Sequence, residues 1–98
     1  MTSYAMNPAS KPIRYTKPFQ KRFQKRFSHQ SKIIQEFHGR LLLFTEGMRG
    51  APLNDHPLGG NLKGLRSFSV SGNVRVIYRE TDQWYELIDI GTHNQVYR

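Results

Sequence analysis

The spacing of apolar positions changes near the middle of the chain, from a period of about four to a period of two. Phe19, Phe23 and Phe27 recur every four residues with Lys21, Arg22, Lys25 and Arg26 between them, the spacing of one helix face with charge on the others. Thr16 stands where a cap is wanted, and Pro18 falls in the first turn, where a missing amide hydrogen leaves nothing unpaired. Ile33, Phe37, Leu41 and Phe44 repeat the helical spacing. A second helix is therefore expected from a Ser31 cap to about Glu46, stopped by Gly47, with Ser28 to Ser31 as the turn of an antiparallel helical hairpin.

Gly50 to Gly64 has no period and is rich in Gly, Pro and Asn, so it reads as one long loop, a kind of segment that often carries function. Alternation then begins. Strands are expected at Leu65 to Ser71, Val74 to Glu80 and Trp84 to Ile90, separated by turns at Ser71-Gly72-Asn73 and Thr81-Asp82-Gln83. Connections this short force an antiparallel meander. Phe68 and Val70, with Val74, Val76 and Tyr78, make one face apolar enough to receive the helices, while Arg75 and Arg79 mark the other. Ile13 to Thr16 is expected to join as an edge strand. The fold class is α+β: a twisted, mainly antiparallel sheet of about four strands, mixed at its edge and packed by the N-terminal helical hairpin. Residues 1–12 read as a flexible lead-in and residues 13–98 as a single domain.

At 98 residues there is room for one core. Cysteine is absent, which excludes disulfides, thiolate metal sites and a cysteine nucleophile. No segment approaches the roughly 20 apolar residues of a membrane span, so a soluble protein without membrane association is expected. The net charge of +8 points to a polyanion, nucleic acid first and an acidic protein second. Lys and Arg outnumber Asp and Glu by ten to two in residues 1–49 and balance them at five each in residues 50–98. The excess thus lies in the helical half, and Lys21, Arg22, Lys25 and Arg26 become candidates for an RNA-binding face.

The end of the chain carries the most suggestive chemistry. The last strand runs into Gly91-Thr92-His93, which puts an imidazole and, four residues on, the phenol of Tyr97 at the edge of the sheet. His56 on the loop and Arg75 on the middle strand complete a set suited to cutting RNA without a metal or other cofactor. Such cleavage needs a base for the 2′-hydroxyl, an acid for the leaving 5′-oxygen and fixed positive charge on the phosphorane. Each residue also has an ordinary structural use: His56 in a turn before proline, His93 capping the chain end, Tyr97 plugging the core, Arg75 as a solvated or paired charge.

Order and spacing add to this. Asp55-His56-Pro57-Leu58, then Leu62-Lys63-Gly64-Leu65-Arg66, Arg75-Val76-Ile77-Tyr78, and Gly91-Thr92-His93 with Val96-Tyr97 resemble the RelE/ParE superfamily of bacterial type II toxins, and within it the YafQ-like branch. The resemblance implies a RelE-like RNase toxin fold, cleavage of messenger RNA at the ribosomal A site in the bacterial cytoplasm, contacts to ribosomal RNA, and silencing by a cognate acidic antitoxin. His56 and His93 match histidines of YafQ-like toxins that act in proton transfer or RNA positioning. Tyr97 matches a terminal aromatic, and Arg75 the strand arginine that RelE-like toxins place on the scissile phosphate. Lys63 and Arg66 are expected on RNA as well. Three positions depart from the pattern: Ser69 replaces a histidine, Asn73 an aspartate and Asp89 a basic residue. A carboxylate beside a phosphate site repels RNA unless it is paired, so Asp89 is expected to hold His93, Arg75 or Arg66, with Asn73 in a supporting place. The alternatives are a ParE-like gyrase inhibitor acting by protein contact, and a non-catalytic or decayed RNA-binding member.

Overall fold

The structure, a computed structural model, describes residues 11–97. Strand β1 (Ile13–Tyr15) leads into helices α1 (Lys17–Phe27) and α2 (Ser31–Thr45). A two-residue strand β2 (His56–Pro57) and a single 3-10 turn (Gly60–Leu62) follow, then β3 (Arg66–Ser71), β4 (Val74–Glu80), β5 (Tyr85–Thr92) and a one-turn helix α3 (His93–Val96). The strands form one sheet in the order β1-β5-β4-β3-β2, with β1 parallel to β5 and every other pair antiparallel. The α+β class, the helical hairpin and the mixed edge are as the sequence predicts.

Four details differ. The sheet has five strands because His56 and Pro57, assigned to the loop, pair with Ser67 and Arg66 of β3. Ser31 is the first helical residue rather than the cap; Gln30 holds the cap position without a side-chain bond there. β5 continues through Thr92, and the expected Gly-Thr-His turn is the entry to α3. Of the lead-in, residues 1–10 lie outside the described residues, but Lys11 pairs with Glu80 at 2.6 Å and the Pro12 carbonyl accepts from Tyr85 N–H.

Local chemistry explains the helix ends. Thr16 Oγ1 accepts from Phe19 N–H at 3.3 Å and donates to the Leu87 carbonyl at 2.7 Å, so one hydroxyl both starts α1 and ties it to β5. At the far end of α2, Gly47 takes φ +97° while its N–H reaches the Phe44 carbonyl and Met48 N–H reaches that of Leu43. This paired closure requires a left-handed residue, which glycine adopts without strain.

Helix α1 packs on β5 and α2 on β3. Phe19, Phe27, Phe37, Leu41 and Phe44 meet Phe68, Val70, Val76, Tyr78, Leu87 and Ile90 in a core almost closed to solvent. The Phe44 ring sits 4.9 Å from each of Phe68, Tyr78 and Tyr85. Leu53, fully buried, draws the long loop into this core. Arg40 reaches from α2 to the carbonyls of Pro52 and Ser69, at 3.1 and 3.0 Å, and Ser69 N–H binds the Leu53 carbonyl at 2.7 Å.

Strand alternation places Arg66 on the helix side of the sheet with Phe68 and Val70. There Asp55, whose side chain is inaccessible, accepts from Arg66 Nε and Nη2 at 2.8 and 2.7 Å and from the Tyr78 hydroxyl at 2.5 Å. Burial first, and donation to Asp55 next, push the Tyr78 phenol far above its ordinary value. A phenol whose proton is held more tightly in the folded state contributes stability that is complete below the unfolded value of 10.0 and falls away as pH rises above it. Urea unfolding should therefore show a steeper loss of stability above pH 10 in the wild type than in Tyr78→Phe. Asp55→Ala, which leaves a guanidinium and a phenol without their shared acceptor, should cost about 2–4 kcal/mol at neutral pH in the same assay.

Candidate functional site

On the face of the sheet away from the helices lie Ser67 and Ser69 of β3 with Arg75 and Ile77 of β4, paired Ser67 to Ile77 and Ser69 to Arg75. The end of β5 brings α3 to this face. Gln95 Oε1 accepts from Thr92 N–H at 2.8 Å, which fixes the single helical turn. His93 and Tyr97, four residues apart, are thereby stacked edge to face with ring centroids 4.5 Å apart. Gly91, opposite Arg75 on β4, is buried, and a Cβ there would lie 2.7 Å from both Arg26 Nη1 and Gln95 Oε1. A side chain at this position would displace the ends of those two side chains from the strand.

A continuous polar array runs across the face. The Tyr97 hydroxyl lies 2.7 Å from Ser67 Oγ, and Arg75 Nε donates to the same oxygen at 2.7 Å. Arg75 Nη2 donates to the Asn54 carbonyl at 3.2 Å, and His56 Nδ1 lies 2.9 Å from that carbonyl. Asn54 adopts φ +47°, a conformation that asparagine tolerates better than most residues. His56, Arg75 and Tyr97 are thus joined through two linkers, the Asn54 carbonyl and the Ser67 hydroxyl, with His93 packed on Tyr97.

The array constrains protonation. A carbonyl only accepts, so Nδ1 carries the hydrogen on His56 and the neutral ring presents Nε2 as an exposed acceptor. A guanidinium has five N–H donors; Arg75 commits two of them, at Nε and Nη2, and three are left for an anion. Proton acceptor, fixed cation and phenol therefore share one surface.

Other residues singled out by the sequence lie elsewhere. Arg66 is across the sheet from Arg75, held by Asp55 and Tyr78. Lys63 is exposed just after the 3-10 turn, and Lys21 and Lys25 are exposed on α1. Arg22 and Arg26 turn instead to the edge of β5, which β1 leaves open beyond Leu87. Arg26 Nη1 donates to the Ile90 carbonyl at 2.8 Å and to Asp89 at 3.0 Å; Arg22 reaches the Ile88 carbonyl at 3.5 Å and Asp89 at 3.6 Å. Asp89 thus serves none of His93, Arg75 or Arg66. A register shift between Ile77 and Tyr78 accompanies its turn toward α1. Asn73 is exposed at the two-residue turn between β3 and β4, and its side chain bonds to none of the described residues. Among the described residues there is no group of three or more His, Cys, Asp or Glu arranged to hold a metal ion, and no helix long and apolar enough to cross a membrane.

Ser67 and Asn54 are the participants that sequence reading misses. An asparagine next to Asp-His-Pro is a recognisable signal for a left-handed bend. Ser67 has a weaker one, since alternation gives it the same face as Ser69 and only the cross-strand register shows which serine meets Arg75 and Tyr97.

Residues 11–98 match the profile of a family described as a bacterial toxin of type II toxin-antitoxin systems, YafQ. No curated protein matches the chain. Among solved structures, YafQ from E. coli strain BL21(DE3) superposes with a TM-score of 0.70 at 25% identity, over 90% of this chain and 99% of that one. The YafQ-containing E. coli DinJ-YafQ complex gives 0.65 at 27% identity, with 90% and 99% covered. The YoeB dimer from Staphylococcus aureus shares the fold at 16% identity, with a TM-score of 0.67 over 87% and 99%. The chain belongs to the YafQ family of bacterial type II toxin-antitoxin toxins.

Proposed function

We propose that this toxin is a metal-independent endoribonuclease that cleaves messenger RNA at the ribosomal A site and so stops translation in the bacterial cytoplasm. The observation that carries the reading is the array in which the His56 acceptor nitrogen, the Arg75 guanidinium and the Tyr97 phenol are joined on one face. His56 Nε2 takes the proton of the 2′-hydroxyl as its oxygen attacks phosphorus. The free N–H groups of Arg75 hold the phosphorane oxygens, supplying the charge stabilisation that a metal supplies in other nucleases. The bond from phosphorus to the 5′-oxygen breaks, and that oxygen takes its proton from Tyr97, with His93 packed against the ring. A 2′,3′-cyclic phosphate and a 5′-hydroxyl result, and water returns the proton from His56 to Tyr97.

The exposed Lys21 and Lys25 on α1 and Lys63 beside the loop suit ribosomal RNA contacts, whose affinity falls steeply with salt. Arg22, Arg26 and Arg66 are assigned to the fold rather than to RNA. A cognate antitoxin is the other partner: a solved relative is a DinJ-YafQ toxin-antitoxin complex, and the net charge of +8 favours an acidic protein.

The test is primer extension on a defined messenger translated with purified toxin, beside naked RNA. In-frame cuts that require the ribosome are expected, and the slowed cut at a phosphorothioate placed at the scissile bond should not be rescued by cadmium ions. Tyr97→Phe and Arg75→Ala should each slow cleavage by about 10²–10³, and His56→Ala should do likewise. Intact messenger throughout would overturn the nuclease reading, and cadmium rescue of the phosphorothioate would overturn metal independence.

A further inference from the structure

Among the described residues Ser67 is the polar residue buried as a whole, with no exposed surface, although it lies on the sheet face away from the helices. Its hydroxyl oxygen has two lone pairs and one hydrogen to distribute. Arg75 Nε can only donate and so takes one lone pair at 2.7 Å. The other neighbour is the Tyr97 oxygen, also at 2.7 Å. If Tyr97 donates, the serine hydrogen has no acceptor among the described residues. If the serine donates, both of its partners are served and the phenolic hydrogen is released toward the open face.

We infer that Ser67 is a positioning residue that couples Arg75 to Tyr97, donating to the phenol oxygen so that the tyrosine proton is free to be given away and the resulting phenolate is held. This rests on the assignment of Tyr97 as proton donor. The argument is one of charge and donor count. A phenolate on this face needs a hydrogen-bond donor, and the serine hydroxyl is the group already bonded to its oxygen. Because the same oxygen accepts from a guanidinium, the serine O–H is polarised and the positive charge stands one hydrogen bond behind it. The other titratable groups near Tyr97 are few: His93 on α3, at 4.5 Å between ring centroids, and Arg75 on β4. Asp89 on β5 is turned to Arg26 and Arg22, and His56 on β2 joins only through the Asn54 carbonyl.

An alternative role for a small buried hydroxyl is mere space filling, and two measurements separate the roles. The first is the ionisation midpoint of Tyr97 in the free protein, followed by the carbon-13 resonance of labelled tyrosine Cζ and assigned by its absence in Tyr97→Phe. Ser67→Ala should raise that midpoint by about one pH unit, and Ser67→Thr, which keeps a hydroxyl, should restore it. This readout does not depend on RNA cleavage, so it stands even if the nuclease assay fails. The second is the cleavage rate. Ser67→Ala should lower kcat about 10- to 100-fold with KM within about twofold, and should have little further effect in a Tyr97→Phe background. An unchanged Tyr97 midpoint in a folded Ser67→Ala protein, or a rate loss that simply multiplies that of Tyr97→Phe, would overturn the coupling.

Discussion

The Asp55 carboxylate is the constraint on which the site depends. Its side chain points to the helix side of the sheet, where a guanidinium and a phenol enclose it. Its chain neighbours are thereby forced the other way, the Asn54 carbonyl toward Arg75 and His56 toward β3. Burying a carboxylate is costly unless its oxygens are fully engaged, and here each oxygen has a donor. A fifteen-residue connection with no more than a two-residue strand and one 3-10 turn is normally the least ordered part of a small domain. This one is fixed at Leu53 by burial, at Pro52 by Arg40 and at Asp55 by charge, which is how it can present an imidazole at a defined place.

The distribution of positive charge acquires two meanings once the fold is known. Arg22 and Arg26 satisfy carbonyls along the open margin of β5 and neutralise Asp89. Arg40 and Arg49 likewise bind backbone carbonyls. A planar guanidinium can serve several acceptors at once, and these arginines are consumed in holding the chain together. The lysines of α1, with flexible ammonium groups in water, are left as the mobile part of the field.

Much of this was legible from residue order. The four-residue recurrence of phenylalanine places α1, the alternation around Phe68 and Tyr78 sets the inner face, and His56, Arg75, His93 and Tyr97 do assemble. What escaped were consequences of register. Arg66 shares its parity with Phe68, so alternation alone assigns it inward; a charged residue invites the opposite reading until its buried partner is seen. The pairing of Asp89 depends on a shift in β5 and on the reach of a helix sixty residues earlier in the chain, and the bridging by Ser67 on contact between β3 and the chain end. Local pattern carries no information about such long-range meetings.

Gly91 has no functional group, yet on the strand opposite Arg75 its missing side chain is shared by two arrangements: the Arg26 cover on the β5 margin and the Gln95 tie that begins α3. A methyl group there must push aside the Arg26 and Gln95 side-chain ends together. The first helix and the last turn, distant in the chain, thus share one buried point that has no smaller residue to retreat to.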